Sequence, residues 1–147
     1  MPVETRPHVD QEIRTLVDGF AKAVRDKNIN ALMSHYAPEL VVFNVAPPLR
    51  DKGIEANRKS WSEWFESFKG GINYEVRDLT IVGNDDVAFS HSLNHVAGES
   101  RDGQRVDAWV RVTVGYRKDA GKWLVTHEHV SMPIDMKTGK VPADLKP

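Results

Sequence analysis

Residues 105–133 read RVDAWVRVTVGYRKDAGKWLVTHEHVSMP, two long alternating runs separated by Asp119–Ala120–Gly121. Alternation of this kind predicts two half-buried strands, and a short connection rich in Asp and Gly predicts a tight hairpin. Two similar runs precede them, residues 72–82 and 87–98, again joined by Gly, Asn and Asp. The C-terminal half is therefore predicted to be an antiparallel meander of four long strands.

The N-terminal half carries helical patterns instead. Apolar residues recur at helical spacing through residues 10–24, with Asp10 as the predicted N-cap. A second helix is predicted at Asn30–Tyr36, a short strand at Leu40–Val45, and a third helix from about Gly53 to Phe68. Helices followed by one meander indicate the α+β class. A sheet that curls around three helices forms a cone with an internal cavity.

Composition limits the classes of function. The length of 147 residues predicts one domain over residues 1–147. A net charge of −1 argues against binding to nucleic acid or to an anionic membrane. The absence of cysteine excludes disulfides, thiolate metal sites and cysteine nucleophiles. The stretch Met1–Gln11 is polar and unlike a signal peptide, and no apolar run approaches the roughly 20 residues of a membrane helix, so a cytoplasmic location is predicted.

The two faces of the third strand differ in chemistry. One face carries valines, and the other is polar and aromatic. The two proposed hairpin registers gather on that second face Ser92, Asn94, Trp109, Arg111, Thr113, His127 and His129. In one interpretation this face lines a cavity, and the apolar face contacts another subunit. In the other, the apolar face packs on the helices and the polar face is solvated. The alternation of side chains along the strand favours neither interpretation by itself.

Several segments together resemble a known superfamily. They are Gly121–Pro133, His35–Pro38, Val42–Asn44, Pro47–Arg50, Asp86–His91, Trp109–Thr113 and Asp135–Lys140. Their order and spacing resemble the nuclear transport factor 2-like superfamily, in its SnoaL-like, ketosteroid isomerase-like branch, over residues 13–145. The resemblance implies a cone-shaped α+β barrel, in which three N-terminal helices pack in a strongly curved mixed sheet. It also implies that the polar face lines the pocket and that the convex face forms a homodimer.

The known active residues of that branch do not carry over. The base of the ketosteroid isomerases corresponds to Asn44, and their oxyanion-stabilising tyrosine corresponds to Phe20. Their protonated acid falls near Thr113. The association domain of calcium/calmodulin-dependent kinase II, an assembly module, also resembles this chain and has arginines near Asn94 and Thr113, whereas here the arginine is Arg111. The resemblance therefore predicts a similar cavity without the isomerase Asp/Tyr pair.

His127 and His129 are the predicted acid–base pair, because histidine titrates near neutrality and residues i and i+2 of a strand share a face. Arg111 is predicted to bind an anionic group or a developing oxyanion. The alternative is a purely structural role for all three. No third ligand accompanies the histidines, so neither a metal nor a cofactor is predicted. The predicted ligand-binding residues are Tyr36, Asn44, Trp61, Trp64, Asn94, Trp109 and Thr113.

Two function hypotheses follow. The first is a dimeric protein that binds a small organic molecule, with acid–base chemistry of isomerase, cyclase or lyase type on a carbonyl or carboxylate compound. The second is a non-catalytic binding or assembly module. In either case we expect a small-molecule ligand and a homodimer formed through the convex sheet face, without nucleic acid or membrane partners.

Overall fold

The computed structural model describes residues 4–147, so the first three residues of the polar stretch Met1–Gln11 lie outside the described residues. Within the described part, helices and strands follow in the order α1 (Pro7–Arg25), α2 (Ile29–Met33), β1 (Tyr36–Phe43), β2 (Asp51–Lys52), α3 (Ile54–Glu66), β3 (Asn73–Gly83), β4 (Val87–Glu99), β5 (Arg105–Asp119) and β6 (Lys122–Ser131). No helix between residues 4 and 147 combines the length and apolarity needed to cross a membrane.

The six strands form one mixed sheet in the order β2-β1-β6-β5-β4-β3. The predicted meander β3-β4-β5-β6 and the α+β class are confirmed. β1 joins the meander by pairing parallel to β6. The two-residue strand β2, which was not predicted, pairs with β1 at one edge. The sheet remains open, with β2 and β3 as its edges.

The helix boundaries differ from the predictions for local reasons. α1 begins at Pro7, because proline is well suited to the first helical turn. Asp10, the predicted N-cap, instead lies within that turn and bonds to Arg14 at 2.7 Å. α2 is capped by Asn28, whose side chain accepts a hydrogen bond from the Ala31 amide. It is shorter than predicted, and Tyr36 already belongs to β1.

We use "inner face" for the side of the sheet covered by the helices and "outer face" for the opposite side. The inner face carries the buried side chains of the sheet, among them Tyr74, Val96, Val112 and Tyr116. Apolar residues at helical spacing on α1, including Phe20, pack against them. The prediction that the valines of β5 form an outer subunit interface is therefore wrong. Apolar side chains occupy the face where the helices exclude water.

The β4–β5 register also differs by one residue from the prediction. Asn94 lies opposite Val110 rather than Arg111, and Ser92 lies opposite Val112. Since side chains alternate across a strand, this shift of one residue moves Asn94 and Ser92 onto the inner face. They are thereby separated from the other members of the predicted polar cluster.

A β-bulge in β6 changes which residues of that strand point inward. Val125 lies opposite Tyr116 and His127 lies opposite Gly115, so Thr126 is the extra residue. The Thr126 hydroxyl donates to the Gly115 carbonyl at 3.2 Å. Before the bulge, odd-numbered residues such as Val125 are inward, and after it Glu128 is inward. The bulge therefore directs a carboxyl group, rather than a histidine, at the helices.

Gly98 in β4 allows Phe68, which follows the C-terminus of α3, to lie close to the sheet. A Cβ atom at Gly98 would approach Phe68 Cδ1 to 2.8 Å. We expect Gly98→Ala to lower the free energy of unfolding by about 1–3 kcal/mol, measured by urea denaturation, because Phe68 must move. Gly70→Ala is the matched control, since a Cβ there meets nothing within 4 Å. Equal stabilities of the two variants would contradict this packing.

Candidate functional site

A cavity of about 590 Å³ lies between α3 and the inner face of the sheet. Its helical wall includes Trp61 and Trp64, and the segment 44–47 forms part of its rim. Its sheet wall is lined by the apolar side chains of Val96, Val106, Ala108, Val110, Val112 and Val130. The volume falls within the range of about 300–1,000 Å³ typical of small-molecule sites.

Glu128 is the carboxyl group on the sheet wall of this cavity. Its side chain is buried, with the residue only 4% exposed. The Tyr36 hydroxyl donates to Glu128 Oε2 at 2.7 Å, and Trp61 Nε1 donates to the Tyr36 oxygen at 3.2 Å. This chain of hydrogen bonds connects α3, β1 and β6. It holds the carboxyl group in one orientation beside the cavity.

A second cluster of polar side chains, from β3 and β4, lies beside Glu128. Asn94 Nδ2 donates to the Tyr74 hydroxyl oxygen at 2.6 Å, and the Ser92 hydroxyl donates to Asn94 Oδ1 at 2.8 Å. Tyr74 lines the large cavity together with Glu128. Because the Tyr74 oxygen already accepts a bond from Asn94, its own proton is free to be directed elsewhere.

Burial controls the ionisation of this cluster. Desolvation raises the pKa of Glu128 to about 7, and the hydrogen bond from Tyr36 partly opposes that rise. Burial also raises the pKa of Tyr36 well above its usual value, and the neighbouring charge of Glu128 adds to the effect. The pKa of Tyr74 is raised by the same two causes. The tyrosines are therefore neutral hydrogen-bond donors, while Glu128 can exchange a proton near neutral pH.

The histidine pair that the sequence suggested lies on the outer face. His127 donates from Nδ1 to the Val41 carbonyl at 2.7 Å. The ring of Phe43 lies edge-on to both imidazoles, at 4.8 Å from His127 and 5.5 Å from His129 between centroids. His129 is exposed and lies opposite Thr113. The prediction that both histidines line the cavity is wrong, because the polar face of the sheet is the outer one.

Arg111, Trp109 and Thr113 are also outside the cavity, on the same outer face. Arg111 Nε donates to the Ser131 hydroxyl at 3.1 Å. Trp109 stacks on His95 with 4.7 Å between ring centroids, and the Arg77 guanidinium lies 4.8 Å from the Trp109 ring. None of these groups can contact a ligand in the cavity, because the sheet itself separates them from it.

The other predicted binding residues lie on the inner side. Trp61, Trp64 and Asn44 line the large cavity, although Asn44 also donates to the Asp51 carboxylate at 3.2 Å. Tyr36 is buried and contacts Glu128 rather than open space. Asn94 is buried behind Tyr74 and lines a smaller neighbouring cavity.

Sequence reasoning missed Glu128, although the sequence carries a signal for it. Trp123 and Val125 in β6 are odd-numbered, whereas Val130 near the end of β6 and Met132 just after it are even-numbered. A change of parity within one strand indicates a bulge, and after the bulge Glu128 shares a face with Val130. Within the described residues, no group of three or more His, Cys, Asp or Glu side chains could hold a metal ion.

Comparison with known proteins identifies similar folds. The SnoaL-like domain model matches residues 13–135. A nuclear transport factor 2-like protein of unknown function from Pseudomonas putida has a solved structure that is 35% identical, with 98% of this chain and 100% of that chain covered and a TM-score of 0.89. No functionally curated protein matches the sequence.

More distant structures share the fold. A ketosteroid isomerase-like protein from Erwinia carotovora is 20% identical, with a TM-score of 0.71 over 82% of this chain and 93% of that chain. A protein provisionally assigned as a calcium/calmodulin-dependent protein kinase II association domain, from Xanthomonas campestris, is 22% identical, with a TM-score of 0.74 over 90% of this chain and 92% of that chain. At these identities the likeness concerns the fold alone.

The raised pKa of Glu128 predicts a pH-dependent stability. Its folded-state pKa of about 7 exceeds the ordinary value of 4.5, so the folded state binds more protons in that interval. The stability that Glu128 contributes is fully present below pH 4.5 and is lost as the pH rises through about 7. We expect Glu128→Gln to remove this loss, which is on the order of 3 kcal/mol.

The measurement is the free energy of unfolding in urea near pH 5 and near pH 8. Glu128→Gln should gain stability relative to the wild type at the higher pH. Glu63→Gln provides the control, because Glu63 lines the same cavity with a largely exposed side chain. A wild-type pH dependence that survives in Glu128→Gln would show that Glu128 is not its source.

Proposed function

Because the chain belongs to the SnoaL-like domain family, we propose that it binds a small organic molecule in the large cavity and catalyses proton transfer on it through Glu128. The observation that carries the proposal is a buried carboxyl group on the cavity wall, held by Tyr36 at 2.7 Å. Perturbed ionisable groups beside a cavity are frequent at catalytic sites. The proposal replaces His127 and His129 with Glu128 as the acid–base group.

The cavity chemistry favours an uncharged ligand. Among the described residues that line it, Glu63 and Glu128 are the ionisable acids, and no Lys, Arg or His is present. An anionic ligand would have no positive partner there and would be repelled by both carboxylates. Valines and the indole rings of Trp61 and Trp64 fit an apolar, partly planar skeleton. A neutral carbonyl compound therefore fits better than a carboxylate.

The polar groups support a simple enolisation. The Glu128 carboxylate takes a proton from the carbon next to a carbonyl group, and the C–H electrons form the C=C bond of the enolate. The Tyr74 hydroxyl, with its oxygen held by Asn94, donates to the carbonyl oxygen, where negative charge develops. Glu128 then returns the proton to carbon. A pKa of about 7 suits an acid–base group that must be regenerated near neutral pH.

A second candidate function, homomeric assembly, is favoured by the outer face. Phe43, Val87 and Phe89 are 37%, 55% and 47% exposed there. Large apolar side chains exposed on one face of a sheet are candidates for contact with another protein. Assembly through this face leaves the cavity accessible, because the cavity opens on the other side of the sheet. The two candidate functions are therefore compatible.

Proton transfer can be tested without knowledge of the natural substrate. The probe is 1-tetralone, a neutral bicyclic ketone, incubated with the protein in D₂O, and the measurement is deuterium incorporation at its α-carbon by mass spectrometry. We expect the wild type to accelerate exchange and Glu128→Gln to lower the accelerated rate by about 100-fold or more, because the base is removed.

The matched controls are His127→Gln and His129→Gln, which alter the immediate neighbours of Glu128 on the same strand but face the opposite side of the sheet. Both controls should exchange 1-tetralone at the wild-type rate. Exchange that persists in Glu128→Gln and disappears in a histidine variant would overturn the proposal.

Assembly can be tested by light scattering after size exclusion. We expect the wild type to elute at about twice its chain mass of 16.6 kDa. Phe89→Lys should shift it to the monomer mass by placing a charge on the outer face. Leu49→Lys is the control, because Leu49 is 97% exposed away from the sheet. A monomeric wild type would remove the basis for this candidate function.

A further inference from the structure

A second, smaller cavity lies behind Glu128, between α1 and the inner face of the sheet. Its volume is about 30 Å³. Glu128 and Val112 line both cavities, so the carboxyl group lies at the boundary between them. Its other polar lining residues are Ser90, Ser92, Asn94 and Tyr116. A buried water needs roughly 10–15 Å³ of free volume and about two to four polar partners.

Three polar residues of β4, Ser90, Ser92 and Asn94, form a row on the inner face. Their position is unusual, because they face the apolar side of α1. The hydroxyl groups of Ser90 and Tyr116 are 2.8 Å apart, and Ser92 donates to Asn94 Oδ1. Each hydroxyl oxygen in these pairs retains a lone pair that can accept a further hydrogen bond. Polar side chains in a core are costly unless they are bonded, so this row is suited to hold a polar occupant.

Glu128 itself lacks one hydrogen-bond partner. Tyr36 donates to Oε2, and no side chain among residues 4–147 donates to Oε1. A carboxylate can accept several hydrogen bonds, so Oε1 has the capacity to accept one from a further donor. The small cavity adjoins this group and is lined by hydroxyls on β4 and β5 of the same sheet.

We propose that the small cavity is an ordered-water site in which one or two waters donate a hydrogen bond to Glu128 and are held by the hydroxyls of Ser90, Ser92 and Tyr116. The water is then a positioning partner of the carboxylate. A donor to the charged form favours ionisation, so the water keeps Glu128 available as a base at neutral pH. Only this catalytic consequence rests on the proposed function; the water site itself does not.

Among the described residues, the groups that face Glu128 offer its carboxylate neutral hydroxyls and no basic side chain. Tyr36 on β1 already donates to it. Tyr74 on β3 and Tyr116 on β5 have pKa values raised mainly by burial and are neutral. Glu63 on α3 lines the large cavity and is an acceptor when ionised. No Lys, Arg or His lines either cavity within the described residues.

The test measures the titration of Glu128 in the ligand-free protein, by NMR of ¹³C-carboxyl-labelled glutamate, with Glu128→Gln used to assign the signal. Val114→Ile adds one methylene group to the small cavity, directly opposite Glu128 in the sheet register. We expect this variant to exclude the water and to raise the titration midpoint by on the order of one pH unit.

Val130→Ile is the matched control, because Val130 lines the large cavity and not the small one. It should titrate as the wild type does. An unchanged midpoint in Val114→Ile, with its cavity shown to be filled by a crystal structure, overturns the proposal.

A high-resolution crystal structure of the wild type is an independent measurement. Water density bonded to Glu128 and to the serine hydroxyls supports the proposal, and a dry cavity overturns it. Since both measurements are made without ligand, their failure is distinguishable from failure of the 1-tetralone exchange test.

Discussion

One extra residue in β6, Thr126, sets the direction of every later side chain of that strand. Val125 and His127 occupy consecutive positions opposite β5, and Thr126 lies between them without a partner in the register. Because side chains alternate across a sheet, this insertion exchanges the inner and outer sets. Glu128 therefore points at the helices. The hydrogen bond from Tyr36 and the position of the carboxyl group between the two cavities depend on that exchange.

A carboxyl group in this position is stabilised by hydrogen bonds and not by opposite charge. No basic side chain lies beside either cavity among the described residues. The charged form therefore has only Tyr36 and nearby dipoles to replace its hydration, and the pKa of Glu128 rises to about 7. An opposing arginine would have produced an ordinary ion pair with a low pKa. The neutral, aromatic surroundings instead produce a group that changes charge near neutral pH.

The outer histidines show how a plausible functional interpretation can arise from a surface pattern. His127 and His129 do share a face with Arg111 and Thr113, as side-chain alternation implied. These side chains, however, bond to near neighbours or are exposed to solvent. His127, for example, bonds to the Val41 carbonyl. The strand pattern left open which face the helices cover. The hydrophobic effect selects the valine face, since those side chains lose the most by contact with water.

Sequence alone determined the α+β class, the four-stranded meander and the family, because these follow from the period of the apolar residues and from the order of the segments. The parity change between Val125 and Val130 was also readable in the sequence. Only the tertiary structure decided which face is inner, that Glu128 and Tyr74 line one cavity, and that Tyr36 bonds to Glu128. These three residues come from β1, β3 and β6, which are distant in sequence. A shift of one residue in any register would separate them, and local patterns do not determine registers to that accuracy.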